Sequence, residues 1–222
     1  MATQITPHFT YEPFWNNSAT AKKYGINNTP DASAKSNIYK IVREILEPIA
    51  VKYGKPIRVN SSYRCPKLNK LVGGSPTSQH MTGTAVDIAA NGGGGTNAML
   101  FNTIIKMIKN KEITVGQLIW EYGTNSNPQW VHVSLPYKRG GRPVTNQVLR
   151  CVKGGKYIPF DSSLKLPVGN TSNIVNSSTS TTPTSTTTTP TDPTERGDGI
   201  SFNTTRTSMG SPRSITSEYK KR

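Results

Sequence analysis

Apolar positions first recur at helical spacing after Pro30-Asp31, where Ile38, Ile41, Val42, Ile45, Leu46 and Ile49 stand three or four residues apart. That spacing predicts an amphipathic helix from about Ala34 to Val51, with Pro48 expected to bend or end it. A shorter helix is expected from Ser18, a good N-cap, to Gly25, a good stop. Pro66 opens another, of one or two turns, which Gly73-Gly74 closes. The last predicted helix runs from about Thr96 to Lys109, with Leu100, Phe101, Ile104, Ile105 and Ile108 on one face. Strand candidates are Ile57–Asn60, Thr84–Ala89, Gln117–Tyr122 and Trp130–Leu135. Helices come first and lie between strands, and the later strands are close enough to pair antiparallel. The expected class is α+β, a small antiparallel sheet with helices packed on it.

Side chains alternate across a sheet, so each strand has two faces to be read separately. Val131, Val133 and Leu135 share one face, while Trp130, His132 and Ser134 share the other. Val86 and Ile88 oppose Ala85, Asp87 and Ala89, and Glu121 lies with Ile119 and Gln117. Each strand thus pairs a packing face with a face presenting an ionisable group, and Ala85 and Ala89 leave room beside Asp87. A shared polar face on a rigid sheet is the layout expected of a site.

Composition changes the picture after about Phe160, where apolar residues nearly vanish. From Thr171 to Thr194 the chain is almost wholly Thr, Ser, Pro and Asn, too poor in apolar surface to offset the entropy of ordering. The expected organisation is a folded domain at 1–168, a disordered linker at 169–194 and a basic polar tail at 195–222. Of the net +15, residues 1–170 carry +13, from 21 Lys/Arg against 8 Asp/Glu. Such an excess suits a polyanionic partner, nucleic acid or anionic cell envelope, and equally a merely solvated basic surface. Cys65 and Cys151 are far apart and form no CxxC pattern, which fits buried thiols better than a disulfide framework. The N-terminal MATQITPHFTYEPFW has no basic stretch followed by an apolar run, so no secretory signal is expected. No stretch approaches the length of a transmembrane span.

The segment Ser78-Gln79-His80-Met81-Thr82-Gly83-Thr84-Ala85-Val86-Asp87 sets a histidine seven residues before an aspartate, with a glycine between them. A turn at Gly83 would bring Asp87 on its strand back beside the imidazole, and His132 from another strand would complete a His-Asp-His set. Two imidazoles and a carboxylate, with the fourth position left to water, is the pattern of catalytic zinc. A lone His or Asp in a strand is more often simply hydrogen-bonded, and His8 is assigned that role.

The run Ser61-Ser62-Tyr63-Arg64, with Leu68-Asn69, Val72-Gly73-Gly74-Ser75, Ser78-Gln79-His80, Gly83, Ala85 and Asp87-Ile88, resembles the zinc D-alanyl-D-alanine carboxypeptidase family. That family includes the L-alanyl-D-glutamate endopeptidases of phage lysins. Gln117-Leu118-Ile119, Glu121 and Trp130-Val131-His132-Val133-Ser134 are similar to its closing motif, and His8-Phe9-Thr10 and Ala21 through Asn27 to its opening in one branch. The resemblance covers roughly residues 8–135. It implies zinc held by His80, Asp87 and His132, and peptidoglycan stem peptides as substrate. It also implies that Arg64 anchors a substrate carbonyl or carboxylate, a task suited to its planar charged fork. Tyr63, Ser78 and Trp130 are the further expected substrate contacts.

One departure stands out. Many relatives carry a carboxylate three residues before the last zinc histidine as general base, and here that position is Gln129. Glu121 is the nearest carboxylate on a suitable strand and takes the expected base role. Two other readings stay open: a zinc-containing wall-binding module without turnover, and, on charge alone, a nucleic-acid-binding protein, although no specific nucleic acid is expected. A thiol hydrolase has no recognisable nucleophile context at either cysteine. Without a signal, the expected setting is a phage lysin or virion-associated wall enzyme made in the host cytoplasm, or export by another route.

Overall fold

The computed structural model describes residues 3–152 and 155–160; the linker expected at 169–194 and the tail at 195–222 lie outside the described residues. A hairpin of two short strands, β1 (Gln4–Thr6) and β2 (Phe9–Thr10), opens it. Ser18 then caps α1 (Ala19–Lys23), its hydroxyl accepting from the Ala21 N–H at 3.1 Å. The long amphipathic run is helical in three registers: α2 (Ala32–Ile41), a π-helical turn at Val42–Leu46 and α3 (Glu47–Tyr53). Pro48 therefore lies inside helix rather than ending it. It has no N–H for the Glu44 carbonyl, and the π turn immediately before it is the kind of local register change that accommodates such a gap. All six predicted apolar positions of this run, Ile38 through Ile49, are at most 1% exposed.

The central sheet begins with β3 (Ile57–Ser61), followed by α4 (Pro66–Leu71), β4 (Ala85–Ala90) and α5 (Asn97–Lys109). Then come β5 (Gln117–Glu121) and β6 (Trp130–Ser134). A separate hairpin, β7 (Tyr137–Arg139) and β8 (Arg142–Val144), turns on Gly140 and Gly141, both at positive φ. That is the geometry a tight two-residue hairpin needs and that glycine supplies without strain. The chain re-enters the sheet with β9 (Gln147–Val152) and β10 (Lys156–Pro159).

Strand order across the sheet is β10-β9-β5-β6-β4-β3. The β3, β4, β6 and β5 pairings are antiparallel as expected, while β9 joins β5 in parallel. Val86, Ile88, Leu118, Trp120, Val131 and Val133 lie in one apolar cluster with Ile38, Ile41, Ile45, Ile49, Leu100, Phe101 and Ile104 from the helices. On α5, Met107 completes the buried stripe, and Ile105 and Ile108 are only partly buried at its margin. The result is a mixed α+β fold with α2, α3 and α5 packed on one sheet face, while Ala21 of α1 and Leu68 of α4 join Ile26 and Val72 in a small separate cluster. Among the described residues no helix is long and apolar enough to cross a membrane.

Candidate functional site

Register brings the other sheet face together. Val86 pairs with Val133 and Ile88 with Val131, so Asp87 necessarily stands opposite His132. Ala85 and Ala89, at most 1% exposed, flank Asp87 without filling the space beside it.

His80 comes from a 3-10 turn, Gln79–Thr82, that the Ser78 hydroxyl caps by accepting from the His80 N–H at 3.3 Å. Gly83 ends the turn at φ +69, where a Cβ would sit 2.6 Å from the Ala34 carbonyl oxygen. Only glycine lets the chain turn there against α2.

The three side chains are nearly inaccessible: His80 is 4% exposed, Asp87 3% and His132 8%. One ligand atom from each lies within 4.8 Å of the others. His80 Nδ1 donates to the Ser62 carbonyl at 2.7 Å, which leaves the Nε2 lone pair facing Asp87 Oδ2 at 3.5 Å. His132 Nδ1 lies 2.8 Å from Asp87 Oδ1. Burial works against charge on Asp87, but His80 and His132 outweigh it and hold the carboxyl below its ordinary range. Burial, reinforced by the Arg64 charge, lowers His80. A carboxylate kept ionised beside an imidazole kept neutral is a ligand set ready for a cation. The Ser62 carbonyl is the usual kind of outer partner that fixes a ligating imidazole's tautomer. Two nitrogens and a carboxylate oxygen converging in a buried pocket fit zinc.

Arg64 is buried beside this group. Its Nη2 donates to Ser78 Oγ at 3.2 Å and its backbone N–H to the His80 carbonyl at 3.2 Å. Trp130 stands opposite Glu121 across the β5–β6 pair, its ring 5.3 Å from that of Tyr122. Tyr63 is 9% exposed and packs in the main apolar cluster. His8 lies away from the group and pairs with Glu47 at 2.8 Å.

The two candidate base positions differ sharply. Gln129 is exposed, its backbone spent on Glu121 and Asn97. Glu121 is 4% exposed and in electrostatic contact with both His132 and Asp87. Burial pushes its carboxyl up to about 7, with Asp87 adding to the rise and His132, Cys151 and Tyr157 opposing it.

Two neighbours of Glu121 carry no expected role. Cys151 pairs with it across β5–β9 and Tyr157 pairs with Cys151 across β9–β10. The sequence signal for these strands is the Gly-Gly pair at 154–155 between short apolar runs. Burial pushes the Cys151 thiol up to about 12, so it stays protonated and is no thiolate nucleophile.

No curated protein sequence matches the chain. The family model described as peptidase M15 matches residues 7–134, more than half of the chain, and spans all of His80, Asp87, Glu121 and His132.

Proposed function

The chain belongs to the peptidase M15 family of zinc metallopeptidases, and from that premise we propose that it hydrolyses stem peptides of bacterial peptidoglycan. The cut is of the D-alanyl-D-alanine carboxypeptidase or L-alanyl-D-glutamate endopeptidase type, in a phage-type lytic enzyme. The observation that carries this reading is the convergence of His80, Asp87 and His132, three buried ligands with atoms within 4.8 Å of one another, on the sheet face that also holds a buried carboxyl, Glu121.

His80, Asp87 and His132 would hold the metal. Zinc, when bound, supplies Lewis acidity that polarises the scissile carbonyl and lowers the pKa of water. Glu121 takes a proton from the attacking water and returns it to the departing amine, so that water is added across the amide bond. Its burial suits both halves of that task, because a carboxyl raised toward neutrality accepts and releases a proton readily. Arg64, buried and pinned by Ser78, orients the peptide through a carbonyl or carboxylate, and Trp130 contributes apolar wall, whereas Tyr63 is taken up by the main apolar cluster. The positive surface favours approach to an anionic envelope.

Purified peptidoglycan is the test substrate. Digestion should release fragments whose masses, read by mass spectrometry, identify one cleaved bond. A chelator should stop their release and added zinc restore it. Wall binding with zinc retained but no fragment released would select a non-catalytic module instead. Salt-sensitive DNA binding with no wall binding would overturn the reading.

A further inference from the structure

The strands after residue 134 lie beyond the family match, yet they complete the surroundings of Glu121. Parallel pairing puts Cys151 level with Glu121, and the next antiparallel pairing puts Tyr157 level with Cys151. Three side chains thus stand in a row on the site face. Strands are about 4.8 Å apart, so β10 lies about 10 Å from β5. A phenol bridges that gap only because the residue between is small. Cys151 is that residue, 1% exposed, its thiol 3.8 Å from the Val152 carbonyl and also interacting with the Glu121 carboxyl. The Tyr157 hydroxyl passes over it and donates to Glu121 Oε1 at 3.4 Å. This is at the long end for an O–H···O bond. Glu121 Oε2 is buried and has no hydrogen-bond partner among the described residues.

We infer that Tyr157 is a positioning residue for Glu121: its hydroxyl holds Oε1 and so leaves Oε2 as the oxygen that exchanges the proton with water. The inference rests on the reading of Glu121 as general base. It divides the work of one carboxylate between two atoms, one anchored and one unencumbered. A largely exposed β10 suffices for this, because only the hydroxyl needs to reach inward; Tyr157 is 49% exposed as a residue. Burial, with Glu121 and Cys151 nearby, raises the phenol's own pKa, so it remains a donor throughout the working range.

The test is a double-mutant cycle on the zinc-loaded full chain, using a soluble stem peptide. Tyr157→Phe removes one hydroxyl and keeps the ring. It should lower kcat about tenfold, the scale of one hydrogen bond to a charged group, while KM, zinc content and Tm stay at native values. In a Glu121→Gln background the same substitution should leave the residual turnover unchanged, since the partner it acts through is gone. Native kcat in Tyr157→Phe overturns the inference, as does an equal fall in both backgrounds. A rise in KM alone makes the ring a substrate contact, and a loss of zinc or Tm makes the hydroxyl structural; either overturns it too. Native turnover in Glu121→Gln itself is a different failure, removing the base assignment and this inference with it.

Discussion

The two faces of β4, β5 and β6 are almost equally buried, yet they hold opposite chemistry. Toward the helices, Val86, Ile88, Leu118, Trp120, Val131 and Val133 are at most 1% exposed and pack into the apolar cluster, where only the Trp120 indole N–H asks for a partner, the Thr124 carbonyl at 3.1 Å. On the other face, Asp87, Glu121, His132 and Ser134 are at most 8% exposed and must be satisfied by pairing, because a buried polar group without a partner is costly. Asp87 meets two imidazoles, and the Ser134 hydroxyl accepts from the Gln117 N–H at 2.9 Å. Glu121 Oε2 stands apart as buried with no partner among the described residues, at a cost of about 1–3 kcal/mol. Burial therefore does not separate core from site here. What separates them is how each buried group is compensated, and on this face of β4, β5 and β6 the proposed base carries an oxygen without a hydrogen-bond partner among the described residues.

Substitutions on the two faces should consequently fail in different ways. On the site face, Glu121→Gln keeps size and hydrogen-bonding capacity but removes the proton acceptor. Turnover of a soluble stem peptide should fall by roughly two to four orders of magnitude, with zinc content and Tm close to native. Near-native turnover would break the contrast, because the unpartnered carboxylate would then have no use. On the helix face, Trp120→Ala should destabilise the fold by about 3–5 kcal/mol in urea unfolding. The protein that remains folded should keep its zinc; metal loss at native stability would mean that the faces are not separable.

A subtler contrast appears with pH in metal-free protein. Burial raises folded Glu121 from the ordinary 4.5 to about 7, so between those values the folded state holds a proton that the unfolded state has released. The side chain's contribution to stability is thus fully present below about 4.5 and lost as pH rises to about 7. His80, lowered by burial and by Arg64, contributes in the opposite sense, its share being lost as pH falls. Comparing native protein with Glu121→Gln cancels that shared part. The stability difference, native minus variant, should decline with rising pH across this window, and a flat difference would mean that Glu121 titrates as an ordinary carboxyl. The smallest effect is expected from the composition of the C-terminal segment: a chain ending at Leu166 should melt within a few degrees of the full chain. A collapse of Tm would put the boundary in the wrong place.

Much of this contrast was legible along the chain. The alternation Val131-His132-Val133 and Val86-Asp87-Ile88 assigns each residue to a face, and pairing of the apolar members then fixes Asp87 against His132. The turn at Gly83 was visible in its residue type as well, whereas the cap that Ser78 provides for the turn holding His80 was not. Pro48 does not end the run, because the helix takes it in after a change of register upstream, which no apolar spacing records. The strands after Leu135 were missed for another reason. Gln147–Val152 is half-exposed along most of its length and shows no clean alternation. Its parallel pairing with β5 joins segments about thirty residues apart, a non-local contact that local pattern does not encode. Cys151 and Tyr157 therefore stayed outside the expected site. Ser62 stayed outside it because its contribution to His80 comes from a backbone carbonyl, which any residue type can supply.

The assignment of zinc to His80, Asp87 and His132 is tested most directly by counting zinc in native protein and in His132→Ala by elemental analysis, with stem-peptide hydrolysis measured on the same samples. That assignment predicts about one zinc per native chain, and in the variant the loss of most of that metal and of all hydrolysis. Native protein that binds no zinc, or a variant that keeps full zinc and full turnover, would contradict it.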